Sequence, residues 1–266
     1  MGVLKSHERS PYLVTWHVYT ALFMREFTAR LTQDRFAPAW LFLEPVLHVI
    51  LLVGVRDLLG RGRLIPGAEF IPWLVVGIVS YFLFRNLWMK GMSAINVNKP
   101  LFAYRQVHPS DTVVVRCAME AMLQSIVFIL LVVGFSAVGQ DIIPYAPLQA
   151  INAWMALIFF GFGMAILCSV MVAFFPESQK LINLTSLPLY LLSGVMVPIH
   201  LMPHQIQEVL LYIPMVHGIE IFRGAFFNGY HMIPGVNLSY LYMCGLVTTM
   251  LGLMLHVRFK MRMVAS

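Results

Sequence analysis

The sequence predicts an all-α integral membrane protein with six transmembrane helices. It adds an N-terminal amphipathic interfacial helix and two short re-entrant helices between the fifth and sixth crossings. Three observations carry this. First, 59% of the 266 residues are hydrophobic and only 11% charged, with a mean hydropathy of +0.79, whereas a soluble domain carries roughly 25% charged residues. Second, apolar runs long enough for a bilayer core alternate with short basic loops. Third, the segment 198–230, PIHLMPHQIQEVLLYIPMVHGIEIFRGAFFNGY, is apolar yet broken by Pro198, Pro203 and Pro214. Each proline removes a donor and disfavours a helical residue before it, leaving pieces of about ten to fifteen residues. Neither piece reaches the roughly 17–25 residues of a crossing, so the pair dips in and returns on one side, enclosed by protein or a wet cavity.

No stretch is long enough for a second, soluble domain, so 1–266 reads as a single transmembrane domain. The net charge of +6 would suggest nucleic acid in a soluble protein; here its distribution marks topology, and no nucleic-acid partner is expected. Cys117, Cys168 and Cys244 lie in separate apolar runs and read as packing residues. The first thirty-five residues hold no apolar core with a small-residue cleavage site, so no removable signal peptide is expected.

In chain order, 16–35 sets Trp16, Tyr19, Phe23, Phe27 and Leu31 at spacings of three and four, with Arg25, Glu26, Arg30 and Asp34 elsewhere. That pattern suits a basic amphipathic helix lying on an anionic leaflet. The first crossing, 40–59, carries Glu44 before Pro45 and His48 one turn on; an intramembrane carboxylate faces the bundle or water, or bonds a neighbouring helix end. The second, 70–89, has Trp73 and Trp88 as belt residues at opposite interfaces, with Arg85 snorkelling or lining a vestibule. In the loop 96–111, Pro100 can open a short helix capped by Asn98. Leu101, Phe102 and Tyr104 would then be exposed anchors ringed by Lys99 and Arg105, a docking surface.

The third crossing, 111–138, begins in solvent with Asp111, Arg116 and Glu120. The fourth, 148–175, sets Gly161, Ala165 and Ser169 at four-residue steps, which lets helices approach closely. The fifth, 181–197, holds Asn183, Thr185, Ser186, Pro188, Ser193 and Gly194 and fits the wall of a pathway. Within 198–230, His217, Glu220 and Arg223 share a face; a Glu–Arg pair that holds the short helix is favoured over a proton relay. The sixth crossing, 238–256, precedes a basic tail of Arg258, Lys260 and Arg262. Thirteen Lys and Arg fall on the side of the two ends against four opposite, which puts both termini in the cytoplasm and the re-entrant pair outside.

There is no G-x-x-x-x-G-K-[ST] loop, dinucleotide fingerprint or G-x-S-x-G elbow, so ATP hydrolysis by the usual route and catalytic residues are not expected in this chain. His200, His204 and Glu208 are spaced by four, but Pro203 interrupts them; solvated interfacial positions are expected, and no metal.

These residues resemble the permease subunit of ABC-2-type exporters, above all the capsular polysaccharide exporters of Gram-negative bacteria. The marks are ALFMREFTAR at 21–30, WLFLEP at 40–45, NKPLFAYRQVHPSD at 98–111 continuing to Arg116 and Glu120, LSGVMVP at 192–198, and PMVHGIEIFRGAFF at 214–227. The resemblance implies a homodimer in the bacterial inner membrane, bound to two copies of a nucleotide-binding ATPase subunit that carries ATP and Mg. Pro100, Leu101, Phe102, Tyr104 and Arg105 would form the ATPase-coupling element. His217, Glu220 and Arg223 would belong to the re-entrant gate. A lipid-linked polysaccharide would arrive near the interfacial helix, with Arg25, Arg30, Glu44, Arg85, Trp88 and Ser193 as path residues, and pass to periplasmic and outer-membrane export proteins. Three other readings stay open: an O-antigen or teichoic-acid exporter, a proton-coupled secondary transporter using Glu44 and Glu220, and a membrane enzyme using the outer histidines.

Overall fold

Helix α3 (Phe70–Met92) is the axis of the bundle, with nearly every residue buried. The computed structural model describes residues 11–32, 36–58, 67–104, 106–140 and 142–265, and the described secondary structure is helical. Around α3 stand α5 (Pro109–Ala137), α6 (Pro147–Phe174) and α9 (Pro214–Phe226), with α10 (Leu238–Ala265) against the far side of α6. Helices α1 (Pro11–Thr32), α2 (Ala37–Leu58) and α7 (Ser178–Leu192) lie outside this core. The short α4 (Ala94–Val97) and a 3-10 turn, Lys99–Ala103, link α3 to α5, and α8 (His204–Leu210) precedes α9.

Proline decides several of these starts. Pro109, Pro147 and Pro214 open α5, α6 and α9, where the missing N–H has no helical partner to lose. At α5, His108 and Asp111 also bond reciprocally; the Asp111 carboxylate accepts the His108 backbone N–H at 3.0 Å, closing a capping box.

Among the described residues, four helices are long and apolar enough to cross a membrane: Phe70–Met92, Pro109–Ala137, Pro147–Phe174 and Leu238–Met263. The apolar part of α2, Ala39–Val55, is shorter. The expected fifth crossing ends early: α7 spans 15 residues, about 22 Å at 1.5 Å per residue. Its terminator is Gly194, in the left-handed region at φ +74°, a conformation open to glycine and costly to the residues before it. The chain then runs through α8 and α9, which meet at a bend of 106°; the prolines break the segment as the sequence predicts.

The packing of α6 and α10 rests on small residues. The two helices run parallel, and a methyl added at Gly245 would stand 2.7 Å from the Phe159 ring, one at Gly252 2.8 Å from the Leu167 backbone nitrogen. Further along, Ser169 Oγ and His256 Nε2 lie 2.9 Å apart. The expected row of Gly161, Ala165 and Ser169 divides its work. Gly161 and Ala165 admit Leu87 and Gly91 of α3, while Ser169 turns to α10.

Two expectations about exposure are overturned. Trp73 and Trp88 are not belt residues: both are buried, because α3 is enclosed on all sides, and the Trp88 indole N–H points to Cys168 Sγ at 3.3 Å. Likewise Glu120 is wholly buried rather than solvated, since α1 covers it. All three cysteines are free thiols; Cys117 and Cys168 are buried.

Candidate functional site

At the α9 end, Arg223 and Glu220 are both fully withdrawn from solvent and meet at 3.4 Å. A buried pair survives only if its remaining bonds are filled. Arg223 donates to the carbonyls of Gly194 at 2.8 Å and Val195 at 3.2 Å, just past the end of α7. The Tyr230 hydroxyl lies 3.1 and 3.2 Å from the two Glu220 oxygens. The guanidinium stacks 3.6 Å from the Trp73 ring centroid, a strong geometry for a desolvated cation on indole. Room for it exists because residue 77 of α3 is glycine: a methyl there would fall 1.9 Å from Arg223 Nη2. One arginine thus joins α3, α9 and the end of α7.

His217 does not extend this cluster into a relay. Its Nε2 lies 2.7 Å from the Leu211 carbonyl, and its Nδ1 accepts the Asn237 N–H at 2.9 Å, so it fastens the turns before and after α9. Near the start of the bent pair, His204 and Glu208 approach to 3.3 Å on the exposed face of α8. His200 sits apart in the turn Ile199–Leu201, with its ring near Tyr230. No group of three or more metal-ligating side chains gathers among the described residues.

Midway along the bundle, Glu44 of α2 and Arg85 of α3 form an ion pair at 2.6 Å, each about a quarter exposed. Asn86 Oδ1 takes a second bond from Arg85 at 3.0 Å, and the Phe82 ring lies 4.2 Å beneath the guanidinium. Arg85 is therefore neither snorkelling nor unpaired. Ser193 is buried, its hydroxyl bonded to the Tyr190 carbonyl at 2.7 Å; with Trp88 also enclosed, neither side chain faces an open path in this conformation.

At the opposite end from Arg223, α1 is clasped to the bundle by charge. Glu26 pairs with Arg116 and accepts Asn98 Nδ2 at 2.8 Å, and Asn98 Oδ1 accepts Arg25 at 2.6 Å. Arg30 and Arg116 stand 3.6 and 3.8 Å from Glu120. Tyr19 adds a bond to Asp111 at 3.2 Å, and burial, reinforced by that carboxylate, raises its phenol above the ordinary value. The buried side of α1 is thus Leu22 and Glu26, while Trp16 of the expected stripe is exposed. Glu26 and Arg30, one turn apart on α1, thus both pair across to α5; Asp34 lies outside the described residues.

Asn98 precedes the 3-10 turn but makes no side-chain cap; its amide is spent on Glu26 and on the Ala94 carbonyl at 3.0 Å. Beyond it the anchors divide. Phe102 is buried against Ile95, Val113, Ile166 and Met263, which corrects its reading as an exposed anchor. Tyr104 and Val97 are exposed, Pro100 is exposed, and Leu101 is half-buried; Arg105 lies outside the described residues. The turn therefore presents a small apolar surface whose inner side is fixed by Phe102 and Asn98.

Sequence reasoning missed Tyr230 and Gly77, and it read Trp73, Asn98 and Glu26 in other roles. Each acts through a partner more than one helical turn away, a relation with no periodic signature.

Residues 17–227 match the protein family described as ABC-2 type transporter. The polysialic acid transport protein KpsM of Escherichia coli is 34% identical over 248 residues, covering 93% of this chain and 95% of that protein. The capsule polysaccharide export inner-membrane protein CtrC of Neisseria meningitidis serogroup B is 30% identical over 244 residues, 91% of each. BexB of Haemophilus influenzae, also named a capsule polysaccharide export inner-membrane protein, is 26% identical over 243 residues, 91% of each.

Proposed function

This chain belongs to the ABC-2 type transporter family, and on that footing we propose that it is the membrane permease of an ATP-driven exporter of lipid-anchored capsular polysaccharide. The observation that carries this is near end-to-end similarity to permeases named for capsule or polysialic acid export, joined to a sequence that has no nucleotide-binding loop. Energy must then come from a separate nucleotide-binding ATPase subunit, which holds ATP and Mg. The exposed surface of Val97, Pro100 and Tyr104 suits the docking of that subunit, with the half-buried Leu101 beside it and Arg105 next in sequence to Tyr104.

In this reading two copies pair in the bacterial inner membrane with two ATPases. Both termini are cytoplasmic. Helices α2 and α7 complete six crossings with the four long spans, their exposed leucine faces covered by lipid or by the second copy. The α8–α9 pair is re-entrant at the outer mouth, and His217, Glu220 and Arg223 hold it there. Arg25 and Arg30 lie where an anchored acidic polymer would arrive, and Glu44 with Arg85 line its path; Trp88 and Ser193 would contribute only after rearrangement. Closure of the ATPases moves the 3-10 turn, and rigid helices carry that motion outward. The polymer then passes to periplasmic and outer-membrane export proteins.

The test is complementation. Expressed with its ATPase in a capsule-export-deficient strain, the chain should restore surface polysaccharide and co-purify with that ATPase. A chain that restores surface polysaccharide with no nucleotide-binding partner would overturn the proposal.

A further inference from the structure

Past the Ser169–His256 contact, a groove of about 620 Å³ runs along α6 and α10, and the two helices still meet there through the Phe174 and Phe259 rings, edge to face at 5.4 Å. Its walls include Leu167, Met171, Phe174, Leu255 and Phe259, and its one charged member is Arg262. The volume falls in the usual range for small-ligand sites, roughly 300–1,000 Å³. Leu255, Phe259 and Arg262 follow one another at steps of four and three, so a single face of α10 runs from aliphatic to aromatic to cationic. Arg258 joins Arg262 one turn apart, its guanidinium 5.9 Å from the Phe259 ring. No carboxylate among the described residues pairs with Arg258, Lys260 or Arg262.

Depth agrees with this arrangement. From Leu238 to Arg258 is twenty residues, about 30 Å of helix, the thickness of a hydrocarbon core. A helix that enters lipid at Leu238 therefore brings Arg258 and Arg262 to the opposite headgroup layer, with the groove just inside it.

We propose that this groove is a site for a resident anionic phospholipid, with one acyl chain lying between α6 and α10 and its headgroup phosphate held by Arg262 and Arg258. The charge selects the occupant. Two unneutralised guanidiniums above an apolar slot match a phosphate on a hydrocarbon chain, and arginine forks bind phosphate through paired bonds. An anionic inner leaflet concentrates such lipids beside basic helix ends. The lipid is a membrane component, separate from any transported polymer.

The test uses the purified full-length chain, without ATPase or polysaccharide, so its failure leaves the permease reading standing. Native mass spectrometry would compare retention of phosphatidylglycerol and phosphatidylethanolamine of matched chains. We expect at least a fivefold preference for phosphatidylglycerol. That preference should fall to near parity in the Arg258→Gln/Arg262→Gln double variant and persist in Arg258→Lys/Arg262→Lys, which also controls for folding. Met171→Trp, which fills the slot from its exposed rim, should reduce retention at least fivefold with both arginines intact. Equal retention of the two lipids by the unaltered chain, or phosphatidylglycerol retention unchanged by Met171→Trp, would overturn the site. So would glycerol 3-phosphate displacing the lipid at equal concentration, since the headgroup would then bind without the groove. A second copy of the chain found by cross-linking across Met171 and Phe259 would overturn it as well.

Discussion

Arg223 holds its guanidinium 3.6 Å from the centroid of Trp73, and neither side chain reaches solvent. The contact reaches across the bundle, from α9 to α3, and its remaining bonds capture the chain where α7 stops. An arginine in this position is costly to desolvate, so the cluster is sensitive to the loss of any member. That sensitivity makes it the best place to probe how the segment after α7 is held.

Gly77→Ala should be damaging although it adds one methyl. The new atom would fall 1.9 Å from Arg223 Nη2, and that end of the arginine is pinned by the Val195 carbonyl and stacked on Trp73. Overpacking of this kind costs about 1–3 kcal/mol. The melting temperature of the purified protein should fall by several degrees and export should drop; an unchanged melting temperature would show that Arg223 has another resting place.

Glu220→Gln should be worse than Tyr230→Phe. The first leaves a buried guanidinium without its counter-charge, a loss of roughly 3–5 kcal/mol. The second removes one bond to a charged group, worth about 1.5–3 kcal/mol. Thermal unfolding of the two variants gives the order, and surface polysaccharide should follow it. Export unaffected by Glu220→Gln would remove the pair from any holding role.

The docking surface gives a prediction that separates contact from packing. Tyr104→Asp and Val97→Asp change exposed side chains, so the permease should stay folded while its ATPase no longer co-purifies. Phe102→Asp buries a charge in the Ile95, Val113 and Met263 cluster and should instead lower expression and thermal stability. Loss of the ATPase only in Phe102→Asp would move the docking surface elsewhere.

The clasp between α1 and α5 can be tested by exchange. Glu26→Arg places a cation against Arg116 and should loosen α1; adding Arg116→Glu restores opposite charge at that contact. A double-mutant cycle on melting temperature should give a coupling of about 0.5–3 kcal/mol. No coupling would mean that Asn98 and Arg30 alone fasten the helix.

How much of this could be read beforehand follows the range of each interaction. Helix existence came from periodicity and apolar length, and the breaks at Pro203 and Pro214 from proline chemistry, so the 198–230 segment was legible. The Glu220–Arg223 pair was also legible, because its members are one turn apart. Burial was not. Trp88 and Phe102 each look like interface residues by type and position, and only the enclosure of α3 and the contact with Met263 of α10 put them inside. The end of α7 at Gly194 was missed because Ser193 to Val197 remains apolar enough to continue a crossing. The Glu44–Arg85 pair lies 41 residues apart in sequence, beyond any local pattern.

The most direct measurement is labelling at both ends of the bent pair. With Cys117, Cys168 and Cys244 replaced by alanine, single cysteines at Gln205, Asn228 and Arg262 would be exposed to a membrane-impermeant maleimide in intact spheroplasts. A re-entrant α8–α9 predicts that Gln205→Cys and Asn228→Cys are both labelled from outside, and that Arg262→Cys is labelled only after the membrane is opened. Labelling of Gln205→Cys and Asn228→Cys from opposite sides would make the pair a crossing and contradict the topology on which the proposed export route stands.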